Sequence, residues 1–155
     1  MQTLLTVLVA WLGANIDLPV TYEHPRVEIV SVAKMAEVRY SRLASNSSDR
    51  FAAEGRRLAA TETDGNVYAI YDDLDRTIYL PEGWTAASPV HVSVLVHELV
   101  HHLQNAGSMK FDCPQAREAP AYRAQSRWLE LFGKSLEDEF EVDAMTILVR
   151  SRCMH

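Results

Sequence analysis

The sequence predicts an α+β domain in which a small, mostly antiparallel sheet packs on one long helix and the C-terminal half is helical. Two β-rich runs, Val67–Tyr71 and Thr77–Leu80, flank Asp72-Asp-Leu-Asp-Arg76, a connection of hairpin length with turn chemistry. From Ser88 onward, helix start and stop signals follow one another closely. At 155 residues the chain has the size of one domain with one core, and two-domain readings are excluded. Hydrophobic residues at 48% and charged residues at 23% exclude a disordered, collagen-like or coiled-coil chain.

The run Leu4 to Gly13 is shorter than the roughly 20 apolar residues a membrane span needs, so no integral membrane span is expected. No Lys or Arg precedes it and no clear small-residue cleavage pattern follows, which argues against a signal remnant. Leu4, Leu5, Leu8, Trp11 and Leu12 share one helical face, predicting a buried first helix. Arg26–Val30 then has strand composition, and Val32, Met35, Ala36, Tyr40 and Leu43 are spaced for a helix. Ser45–Asp49 and Thr61–Asn66 read as surface connections. Pro81 confines the Thr77–Leu80 strand to an edge or to a strand end.

Ser88 is placed to cap a helix with Pro89 at its first position, where a missing N–H costs nothing; this helix should reach about Asn105, with Gly107 just past it. A second helix is expected from Arg117 to Phe132, stopped by Gly133. A third should run from Ser135, whose Ser135-x-x-Asp138 resembles a capping box, to Arg150. Fifteen Lys and Arg against twenty-one Asp and Glu give a net charge of −6 without a basic cluster, so nucleic acid is not an expected partner.

The Ser88 helix carries His97-Glu98-Leu99-Val100-His101. Positions i and i+4 share a helical face, so both imidazoles can reach one ion while Glu98 projects beside it. With six His and twelve Glu, a shuffled chain would produce this pattern only about 0.02 times. Val92, Leu95, Val96, Leu99 and Leu103 supply the helix's core face, leaving the two histidines off its centre, lining a cleft. A catalytic zinc takes three protein ligands and keeps a fourth position open. The metzincin spacing requires Gly at 104 and a ligand at 107; the chain has Gln104 and Gly107. Among Asp112, Glu118, Glu130, Glu137, Asp138 and Asp143, geometry favours Glu118, at the start of an antiparallel neighbouring helix. Small residues beside the acid permit close approach, and Pro120 is tolerated in a first turn.

With these residues in place, the chain resembles the gluzincin branch of the zincin metallopeptidases. His97-Glu-Leu-Val-His-His-Leu-Gln104 followed by Glu118-Ala-Pro-Ala-Tyr122 is most similar to a group of small bacterial zincin-like proteins, over residues 77 to 132. The resemblance implies a zincin-like fold with Zn²⁺ held by His97, His101 and Glu118, Glu98 as general base, and a peptide or protein substrate. It also implies that Thr77–Leu80 is the edge strand that pairs with an extended peptide, the alternative being an ordinary edge strand. Thermolysin-like enzymes carry Asp four residues after the ligand Glu; this chain has Tyr122, a candidate oxyanion donor or a residue that packs on a ligand. His24, His91, His102 and His155 lack ligand spacing and read as structural or surface residues.

The competing reading is a catalytically silent zinc-binding or interaction domain on the same fold, against which Glu98 argues, since a structural site has no use for a non-ligand glutamate. A thiol enzyme using Cys113 and His101 has no supporting spacing. The two cysteines, Cys113 and Cys153, are expected to form a disulfide, because an antiparallel return of the last helix brings Cys153 back beside the Glu118 helix. That bridge implies an oxidising compartment, periplasmic or exported; two free thiols would imply a cytoplasmic protein.

Overall fold

The computed structural model describes residues 1–45 and 69–153. The predicted loop Thr61–Asn66, residues 46–49 of the other predicted loop, Val67, Tyr68 and His155 lie outside them. The described residues form a mixed α/β structure with six helices and a three-stranded sheet: α1 (Gln2–Ile16), β1 (Arg26–Val30), α2 (Val32–Ser45), β2 (Ile70–Asp72), β3 (Thr77–Pro81), α3 (Pro89–Ala106), a one-turn 3-10 helix (Pro114–Arg117), α4 (Glu118–Glu130), α5 (Leu136–Phe140) and α6 (Ala144–Ser151). No helix among them is long and apolar enough to cross a membrane.

The strand order is β1-β3-β2. β2 and β3 form the expected antiparallel hairpin, while β1 pairs with β3 in parallel, Arg26 opposite Thr77 through Val30 opposite Pro81. The sheet is therefore mixed rather than mostly antiparallel, and Thr77–Leu80 is its central strand, not an edge. Parallel pairing needs a crossover, which the strand-then-helix pattern of Arg26–Ser45 begins. Pro81 fits a central strand because it occupies the last position, where the ladder passes to Glu82 N–H donating to the Val30 carbonyl at 2.9 Å.

Alternation along the strands divides the core. Ile78 and Leu80 of β3 and Tyr71 of β2 are buried with α1 and α3, whereas Ile70 packs with Met35 and Val38 of α2 and with Tyr79. Leu5, Leu8, Val9 and Leu12 are fully buried, which gives α1 its predicted face, and Trp11 meets Trp128 of α4 edge to face at 5.5 Å. Gly107 ends α3 as expected but with φ −79°, so its role is spatial: a Cβ there would stand 2.7 Å from Pro19 Cγ. Gly133 does adopt the left-handed conformation, φ 68°, after α4.

The predicted last helix is two. Ser135 caps α5 by accepting from Asp138 N–H, but Glu141 turns left-handed at φ 55°, and Asp143 caps α6 by accepting from Thr146 N–H at 2.7 Å. Val142 in the break is buried with Tyr122, Leu129 and Leu136, so burial of one apolar side chain and a fresh cap outweigh helix continuity. The C-terminal segment still returns to the start of α4, where Cys113 and Cys153 form a disulfide with Cα atoms 5.7 Å apart. The bridge closes a separation of 40 residues, worth about 4 kcal/mol on the chain-entropy model. Reduction should lower the unfolding free energy by about that amount in urea titration. Uptake of two alkyl groups by the intact protein without reductant would show that the bridge is absent.

Candidate metal centre

Helix α3 begins at Ser88, whose hydroxyl accepts from His91 N–H at 3.3 Å, and buries Leu95, Val96, Leu99, Val100 and Leu103. This fixes its rotation and brings His97 and His101 to the side facing α4. The two helices run antiparallel: Trp128 Nε1–H donates to the Pro89 carbonyl at one end and Glu118 meets His101 at the other. Ala121 and Ala124, both fully buried, allow the close approach.

Glu118 lies where expected. Its Oε2 is 3.2 Å from His97 Nε2 and its Oε1 is 3.4 Å from His101 Nε2. One ligand atom from each of His97, His101 and Glu118 falls within 4.8 Å of the others, a group able to hold a metal ion. Hydrogen-bond chains set the tautomers. Ser93 donates to the Val90 carbonyl and accepts from Gln125 Nε2, so Gln125 Oε1 faces His97 Nδ1 at 3.0 Å and that nitrogen carries the proton. Gln104 Nε2 donates to the Arg117 carbonyl, leaving Oε1 to accept from His101 Nδ1–H at 3.1 Å. Both Nε2 lone pairs therefore point at a carboxylate, three acceptors converging with no donor among them, which is the donor set a cation completes. Burial alone would raise the Glu118 carboxyl, but in the metal-free protein hydrogen bonds from His101 and His97, made when Nε2 also carries a proton, outweigh this and hold it well below the usual carboxylate range.

Glu98 is 9% exposed, lies outside the ligand group, and accepts from Tyr71 N–H of β2 at 2.8 Å through Oε2. A cavity of about 450 Å³ brings Glu98 together with His97, His101 and Glu118, with Ile70 and Arg117 on its walls. Tyr122 is placed differently from an oxyanion donor: its ring stands edge-on to His97 at 4.8 Å, its hydroxyl accepts from Arg150 of α6 at 2.9 Å, and it is not among the cavity's lining residues. Packing on His97 is the role this geometry favours.

The described histidines read as structural or surface residues, and the other groups weighed that follow, lie apart from the site. His102 is buried and donates from Nε2 to the Glu23 carbonyl while Nδ1 accepts from the Tyr71 hydroxyl, and burial lowers its pKa. His24 bonds Gln2, and His91 Nδ1 accepts from Thr85 N–H. Asp138 and Asp143 serve at helix starts. Cys113 is bridged, which removes the thiol-enzyme reading. Sequence reasoning missed the residues behind the two histidines, Gln104 and Gln125. Their signal was spacing: Gln104 is three positions beyond His101 and Gln125 seven beyond Glu118, each on the same helical face as that residue.

Fold and site define a mixed α/β protein with a His/His/Glu group between two antiparallel helices. Residues 45–155 match the family described as Domain of unknown function (DUF6647), and the chain belongs to that family. No curated protein and no solved structure matches it.

Proposed function

We propose that this protein is a zinc-dependent hydrolase of the gluzincin type, a metallopeptidase on a zincin-like fold. The observation that carries the reading is the pairing of three convergent acceptors with a buried glutamate that is not one of them, in one cavity. Two imidazoles and a carboxylate suit zinc, and three protein ligands are the number typical of catalytic sites. Zinc held there would act as a Lewis acid that activates water at neutral pH. Glu98 would be the general base that takes a proton from water and the acid that delivers it to the leaving amine. The Tyr71 N–H keeps the Glu98 carboxylate in place. Among the described strands β3 is central and β2 is the edge strand whose Ile70 lines the cavity, so an extended peptide would lie beside β2. The disulfide hints at an oxidising compartment, which fits an exported enzyme.

The test is metal content of the purified protein together with hydrolysis of a quenched-fluorescent peptide library. One zinc per chain and turnover that stops with a chelator and returns with zinc are expected. Stoichiometric zinc without any turnover would replace the enzyme by a zinc-binding domain, and absence of zinc would overturn both.

A further inference from the structure

Arg117 stands between the hairpin and the two helices that carry His97, His101 and Glu118, and it is bonded across all of them. Its guanidinium grips Asp73 of the β2–β3 turn with both ends, Nη1 to Oδ2 at 2.8 Å and Nη2 to Oδ1 at 3.0 Å. Nε donates to Gln104 Oε1 at 3.4 Å and Nη2 to the His101 carbonyl at 3.5 Å. Its own carbonyl accepts from Gln104 Nε2 at 3.0 Å. The next residue is Glu118, and Asp73 lies two residues past Tyr71, whose N–H holds Glu98.

The Arg117 side chain is 23% exposed and that of Asp73 35% exposed. An ion pair so placed adds little to stability by its charge alone. Its two-ended geometry instead imposes direction, since the planar fork fits a carboxylate in only one plane. That direction passes to Gln104, the acceptor that fixes the His101 tautomer.

We propose that Arg117 is a positioning residue of the metal centre, locking Gln104 and thereby the His101 Nε2 lone pair, and tying the Glu118 turn to the hairpin that holds Glu98. This rests on the metal-site reading above. Removing such outer support costs about 10–100-fold in metal affinity. Lysine keeps the charge but lacks the fork, so it does not substitute.

The experiment measures Zn²⁺ affinity of the full-length, disulfide-bonded protein by competition with a chromophoric chelator, and the visible spectrum of the Co²⁺-loaded form. R117K and D73N should each weaken zinc by about 10–100-fold and alter the cobalt bands. The double variant should lose little more than either alone, because the pair acts as one unit. Lys34→Ala, which removes an exposed charge paired with Glu37 on α2, should change neither reading. If R117K does not fold, D73N, in a partly exposed turn, decides the matter. Tight wild-type binding with R117K or D73N unchanged in affinity and cobalt spectrum overturns the role of Arg117 and leaves the metal site standing. A wild-type protein without zinc affinity overturns both.

Discussion

Glu98→Gln is expected to lower peptide hydrolysis by about 10²–10⁴-fold while zinc remains bound. The amide has the shape of the carboxylate and keeps an oxygen for Tyr71 N–H, which Glu98 now accepts at 2.8 Å, so the side chain's place beside β2 is preserved. What is lost is the capacity to take a proton. Because Glu98 stands outside the ligand group, metal content should match wild type. Measuring kcat and zinc stoichiometry on the same preparation separates the effects. Turnover equal to wild type would rule Glu98 out as the base; loss of zinc would mean that it acts as a ligand.

Glu118→Ala and His97→Ala should each weaken zinc by more than about 100-fold, beyond the range seen when only outer support is removed. Glu118→Ala removes the one carboxylate of the group and leaves the two imidazoles, one helical turn apart on α3 with ring centroids 5.1 Å apart. Acidification should release zinc in the wild type, since protons and metal compete for the same lone pairs. In the metal-free protein the Glu118 carboxyl is held well below the usual carboxylate range. The sign follows from linkage. A depressed carboxyl contributes stability in full above its unfolded pKa and loses it as pH falls through the folded value. Glu118→Ala should therefore remove that part of the acid dependence from the metal-free protein, which urea titrations across acidic pH would register. Stoichiometric zinc in both variants at micromolar metal would displace these residues from the ligand set.

The Ser88 cap, the Pro89 start and the His97/His101 spacing were legible because each depends on neighbours within about a turn of helix. Glu118 was reachable as well, since the small residues beside it and the tolerated position of Pro120 are also local. The disulfide pairing was reached although the helix thought to return Cys153 is broken at Glu141–Asp143, because the direction of return survives the break. The break itself was hidden. A buried Val142 decides it, and periodicity cannot say which apolar residue finds a cavity.

By itself the sequence determined the helix that carries His97, Glu98 and His101, the hairpin before it, and the acid on the following helix. All are set by short-range periodicity, capping and turn chemistry. Only the tertiary structure decided that β1 joins β3 in parallel and makes Thr77–Leu80 central, because strand pairing across a crossover is fixed by which faces bury together. The same holds for Gln104 and Gln125 behind the histidines, for the Tyr122 ring against His97, and for Arg117 across hairpin and helices. A side chain's hydrogen-bond partners depend on where separate elements come to lie, and no spacing along one element records that.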